Sequence, residues 1–115
     1  MSEENLVEGV IRGLSKPLIL WLLCVRPMHG YDLIKEFRNL TGRKLRPAAV
    51  YPFLHTLERR GYVVGTWVTK GKRRIKNYTI TKDGEKLLRT IMGIFSTPVR
   101  EMIVDLLKKE TRSRT

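Results

Sequence analysis

PAAVYPFLHTLERRGYVVGTWVTKGKRRIKNYTI, residues 47–80, contains the change of period that decides the fold. Up to Arg60 the apolar residues recur helically. Val50, Leu54 and Leu57 share one side at intervals of four and three, which predicts a helix opened by Pro47 and stopped by Gly61. From Tyr62 onward the chain turns to β-branched and aromatic residues over 63–69 and again over 75–80. The glycine-containing stretch 70–74 lies between them, so a two-stranded hairpin is predicted.

Before this stretch the pattern is helical. Leu6, Val7, Val10, Ile11 and Leu14 form a stripe behind Glu3 and Glu4, acids well placed in a first helical turn. Ser15 and Pro17 have the form of a second start, giving a separate helix to Val25 that is apolar almost all round and therefore buried, with Cys24 as a small core residue. Arg26-Pro27 stops it. His29-Gly30 opens the next helix, with Leu33, Ile34, Phe37 and Leu40 on one face and Gly42 as its cap. After the hairpin, Thr81 caps a last helix that runs past Leu107. The expected fold is mainly α with a two-stranded β-hairpin. Its divisions are a unit of helices and hairpin with an N-terminal helix over 1–81, a long last helix over 82–110, and a disordered basic tail over 111–115.

Lys and Arg number 23 against 11 acidic residues, a net charge of +12. An excess of this size calls for a polyanionic partner, since neutralising phosphates releases counterions. At 42% hydrophobic residues the chain is globular, not a disordered basic arm. One cysteine excludes an intrachain disulfide framework or a zinc cluster. The apolar run over 18–25 is far short of the roughly 20 residues that cross a bilayer, and no secretion signal opens the chain, so the expected location is the cytoplasm. Neither His29 nor His55 stands in a carboxylate–nucleophile arrangement, and no glycine-rich phosphate loop is present. No enzyme activity, metal or cofactor is expected.

Three helices followed by a hairpin, with a short connection before the third, is the layout of a winged helix-turn-helix. Such a fold lays its recognition helix in the major groove of duplex DNA. The outward residues of the helix from Pro47 suit that use. Ala48, Ala49, Pro52 and Thr56 permit close approach, while His55 and Arg59 reach base edges or phosphates. Arg43, Lys44 and Arg46 add charge at its start, where free N–H groups also favour a phosphate. The hairpin gathers Lys70, Lys72, Arg73, Arg74 and Lys76, with no acid between Arg60 and Lys82, and a DNA backbone supplies the missing counter-charge.

Three motifs carry a family resemblance. Pro27-Met28-His29-Gly30-Tyr31, then Tyr51-Pro52-Phe53-Leu54-His55-Thr56-Leu57-Glu58-Arg59-Arg60-Gly61, then Tyr78-Thr79-Ile80-Thr81-Lys82-Asp83-Gly84 resemble in order and spacing the signatures of the PadR family. The resemblance covers about residues 18–88. It implies a dimeric winged-helix transcription regulator, usually a repressor, with Tyr51 on a DNA phosphate. One departure is Arg46, where the family has Ser or Thr before the proline; arginine is a poor N-cap.

Leu88, Met92, Phe95, Val99, Met102 and Leu106 recur like a heptad seam, which points to pairing with a second copy, helped by Leu6 and Val10. Gly93 and Pro98 should kink that helix or divide it in two. The resemblance further suggests a flat hydrophobic effector between protomers, for which Trp21, Met92 and Phe95 are the available walls; the plainer alternative packs all three in the core. The function expected is a sequence-specific repressor acting as a homodimer. The alternative is a non-specific architectural DNA-binding protein.

Overall fold

The computed structural model describes residues 2–113, with side chains described through Lys108. Helix α1 (Glu3–Val25), α2 (Gly30–Thr41) and α3 (Pro47–Arg59) precede an antiparallel hairpin of β1 (Val63–Lys70) and β2 (Arg73–Ile80), followed by α4 (Lys82–Met92), a 3₁₀ turn (Gly93–Phe95) and α5 (Thr97–Ser113).

The core is built where the apolar stripes meet. Leu20 and Leu23 of α1, Leu33 and Phe37 of α2, and Val50, Leu54 and Leu57 of α3 are all buried, together with Val63 and Tyr78 at the base of the hairpin. Met28, in the link between α1 and α2, exchanges both backbone hydrogen bonds with Tyr78 (2.9 and 3.2 Å). It thereby adds a single rung on the free side of β2. That rung matters because a lone two-stranded hairpin is at best marginal in water.

The caps explain the joints. His29 Nδ1 accepts the Asp32 N–H (3.1 Å) and so caps α2, which ends on Gly42 in the left-handed region. α3 closes with the Tyr62 N–H on Leu57 O (2.9 Å) and the Gly61 N–H on Glu58 O (3.0 Å), a Schellman arrangement. The Thr81 hydroxyl accepts the Gly84 N–H at 3.1 Å and donates to Gly61 O at 2.7 Å, so one residue caps α4 and ties it to the end of α3. Gly84 lies against the Tyr62 carbonyl, where a Cβ would collide with the backbone oxygen.

Several expectations are corrected. The two N-terminal helices are one: α1 runs through Pro17 without a break. Proline there removes only the bond to Gly13, and burial of Ile19, Leu20, Leu22 and Leu23 just beyond it holds the continuing helix in place. Only one side of this apolar segment is covered, so Trp21, Cys24 and Val25 are exposed, as is Leu40 of α2. Burial of part of its surface, followed by the charge of Glu85, still pushes the Cys24 thiol up from its usual range. The five-residue basic loop is a two-residue turn, because Gly71 (φ 65°) takes the first central position that tight hairpins require and lets Lys70, Arg73 and Arg74 join the ladder.

The last helix is also divided. α4 tightens into the 3₁₀ turn, Ser96 is extended, and α5 starts afresh, since Pro98 cannot donate to the carbonyl four residues back. The heptad seam is therefore not continuous. Leu88 faces its own protomer's core (8% exposed), not a partner, and Val99 is half-buried, while Met92, Phe95, Met102 and Leu106 are exposed. Helix continues through 111–113, where a disordered tail was expected; residues 114–115 of that expected tail lie outside the described residues.

Replacing Gly84 by Ala is expected to lower stability by about 1–3 kcal/mol, since neither Tyr62 O nor the α4 cap can move independently. Thermal unfolding of the variant measures this, and the exposed Gly93→Ala variant, with open space around it, serves as the control.

Candidate nucleic-acid interface

α3 turns Val50, Leu54 and Leu57 inward, which leaves Ala48, Pro52, His55 and Arg59 about half a turn away on its exposed side. Thr56 is half-buried beside them, its hydroxyl donating to Pro52 O (3.0 Å). Pro52 sits inside the helix, not in its first turn, and that side-chain bond falls in the same weakened segment. Ala49 is exposed but turned toward α1, where it lines a groove with Lys16 and Phe53; the Lys16 ammonium stands 5.5 Å from the Phe53 ring centre. Pro52 and Thr56 border the same groove, so the three share the α1 side of the exposed face.

Arg46 occupies the N-cap of α3 and makes no side-chain capping bond. Pro47 has no N–H to satisfy, which reduces the cost of the missing cap. Arg46 and Lys44 are exposed, and so is Arg43, which pairs with Glu8 of α1 at 3.0 Å through side chains that are both about half exposed. Tyr51, 42% exposed, lays its ring over Gly30 at the start of α2. A Cβ at Gly30 would come within 2.5 Å of the ring, so this approach requires glycine there.

Between α3, the start of α2 and the hairpin lies an open cleft of about 570 Å³, walled by Tyr31, Tyr51, His55, Trp67 and Arg74 among others. The register pairs Trp67 with Lys76 and places Arg74 one step nearer the turn on the same face. The Arg74 guanidinium lies 4.9 Å from the Trp67 ring centre and the Lys76 ammonium 5.6 Å. Lys70, Lys72 and Arg73 are exposed around the turn.

Lys76 departs most from its expected role. Its Nζ donates to Glu58 Oε1 at 2.7 Å, and Glu58 Oε2 accepts the Gly65 N–H at 3.2 Å. The absence of acids within the hairpin therefore does not leave Lys76 uncompensated, because α3 supplies the counter-charge. The hydrogen bond from Lys76 holds the Glu58 carboxyl below the usual glutamate range, and the same bond holds Lys76 above the usual lysine range. Glu58, Trp67 and Tyr31 were not singled out from the sequence. Glu58 had a signal, being the only acid between Glu36 and Asp83.

Trp21, Met92 and Phe95 are all exposed, so they are not core, and none of them lines the cleft. Among the described residues no group of three His, Cys, Asp or Glu side chains could hold a metal ion, and no helix is long and apolar enough to cross a membrane.

The transcriptional regulator PadR-like family matches residues 19–90 of the chain. Among solved structures, a Thermoplasma acidophilum protein is 31% identical with a TM-score of 0.64, over 94% of this chain and 98% of that one. A PadR family transcriptional regulator from Eggerthella lenta has a TM-score of 0.72 at 24% identity over 90% of each chain, a likeness of fold. Bacillus subtilis PadR in complex with operator DNA is 29% identical with a TM-score of 0.63, over 67% of this chain and 45% of that one. No curated protein matches.

Acid should unfold the native chain more steeply than the Glu58→Gln variant. A carboxyl held below its ordinary range stabilises the fold fully above that range, and the contribution disappears as pH falls through the lowered value. Melting temperatures across the acid range compare the two slopes; parallel profiles would show that Glu58 is not coupled to folding.

Proposed function

The chain belongs to the PadR-like family of transcriptional regulators, and from that premise we propose that it is a sequence-specific double-stranded DNA-binding repressor acting as a homodimer. One observation carries the reading. The exposed side of α3 lies open beside a hairpin whose outer cations, Arg73 and Arg74, extend along the same cleft. A B-DNA major groove admits one helix, and its bordering phosphates then fall within reach of side chains beside that helix. Tyr51, Arg46 and Lys44 would take phosphates near the start of α3, with Arg73, Arg74, Lys70 and Lys72 on the strand beyond the wing. Ala48, Pro52, His55, Thr56 and Arg59 would face base edges. Likeness to Bacillus subtilis PadR, solved with operator DNA, supports the same partner here.

Pairing is supported by apolar surface that the protomer leaves open. Leu6 and Val10 on α1, and Met102, Ile103 and Leu106 on α5, are all exposed. A 17-residue helix with such a face is marginal alone in water and gains stability by docking. A two-fold pair would present two α3 helices about 34 Å apart, one turn of DNA. Occupancy of a promoter by such a dimer blocks transcription. A flat hydrophobic effector at the pair interface, near Trp21, Met92 and Phe95, is compatible with their exposure, and no observation selects it.

Selection of bound sequences from random DNA should recover a two-fold symmetric site preferred by about 10³-fold or more. Equal affinity for random duplex would favour a non-specific architectural protein. The Arg73→Ala/Arg74→Ala variant should weaken binding to all sequences and reduce the salt slope by about 0.9 for each phosphate no longer neutralised. In sedimentation, Leu106→Glu should shift the native dimer toward monomer, and an unchanged mass would exclude α5 from the interface.

A further inference from the structure

The proposed DNA reading leaves the exposed Trp67 without a role. Trp67 is 56% exposed in the middle of β1, away from the apolar surfaces of α1 and α5 that a partner would cover. We propose that Trp67 is a positioning residue, which holds the Arg74 guanidinium in the cleft ready for a DNA phosphate; the inference rests on the DNA-binding reading.

A chain of interactions runs outward from α3. Glu58 Oε1 takes the Lys76 ammonium at 2.7 Å; Lys76 lies 5.6 Å from the Trp67 ring centre; the Arg74 guanidinium lies 4.9 Å from the same ring. The Lys76 ammonium is thus engaged by Glu58 and faces the Trp67 ring. Arg74 is the last member, and among the described residues the ring is what holds it. A guanidinium held over an aromatic face by its charge spends no N–H donor on that contact, so its donors stay available to a phosphate. Holding it there removes rotamer freedom before DNA arrives, so less is lost on binding. Tyr51 and His55 of α3 wall the same cleft, and a strand passing through it would meet Arg74 and the recognition helix together.

A double-mutant cycle on one duplex tests this, using the native protein, Trp67→Leu, Arg74→Gln and the double variant, with Trp67→Phe alongside. Trp67→Leu is expected to weaken binding about three- to five-fold, and Arg74→Gln about ten-fold. The double variant should bind no more weakly than Arg74→Gln alone, and Trp67→Phe should recover most of the native affinity because it keeps the ring face. Multiplying losses in the double variant, or native binding by Trp67→Leu, would overturn the proposal. Circular dichroism checks that Trp67→Leu is folded; if it is not, Trp67→Phe and Trp67→Tyr complete the comparison, and a loss in either comparable to that expected for Trp67→Leu also overturns it. Should the native protein bind random and selected duplexes equally, the specific-repressor reading fails, while the cycle on that duplex still decides the role of Trp67.

Discussion

The carboxylate of Glu58 ties α3 to both strands of the hairpin. It stands in the last turns of α3, and its two oxygens reach different strands: one takes the Gly65 N–H of β1, the other the Lys76 ammonium of β2. Burial of Val63 and Tyr78 attaches the base of the hairpin to the core and supplies most of the holding energy, at about 1.5–3 kcal/mol for a fully buried apolar side chain. Such burial is not directional, however. A hairpin fixed only at its base could swing, and two strands alone have little rigidity. Of the two Glu58 hydrogen bonds, the one to Gly65 lies level with Tyr78 at the base, and the one from Lys76 lies two residues farther along β2, so the pair adds directional contacts where burial alone supplies none.

The same logic organises the charge of the whole chain. Acids are few, and those near the cleft neutralise chosen cations. Glu8 holds Arg43 and Glu58 holds Lys76, while Asp32 and Glu36 stand 3.9 Å from Arg26. Each pair ties one segment to another. Arg46, Arg59, Lys70, Lys72, Arg73 and Arg74 make none of the described ion pairs and are exposed. Composition gives the excess of +12, but the placement of the acids decides which cations are structural and which face outward. Only the second kind generates an attractive field for a polyanion.

Legibility from sequence divides along the range of the interactions involved. The helix–hairpin switch at Gly61, the caps at His29 and Thr81, and the stripes of α2 and α3 depend on neighbours within a few residues, and a single sequence displays them. Pro17 misled because its cost is local while its compensation, the burial of Ile19, Leu20, Leu22 and Leu23, is tertiary. The wing tip was drawn too long because four basic residues around a glycine suggest a loop, whereas Gly71 alone permits the tighter turn. In the candidate site, the outward residues of α3 followed from helical period, but Lys76 could not be separated from Arg74. The two differ by their partner on another element, Glu58, 18 residues away.

Leu88 shows how one period can serve two surfaces. It continues the spacing of Met92, Phe95 and Met102, yet it is buried in its own protomer while Met102 and Leu106 are open. The break at Ser96 separates these roles. α4 is held to the body by the Thr81 cap and by Leu88, and α5 starts in a new direction after Pro98. A continuous helix would have carried one stripe along one line, so the same residues could not both seal a core and meet a second chain. By dividing the helix, the break at Ser96 lets the segment before it seal the protein's own core, while the segment after it leaves Met102 and Leu106 open.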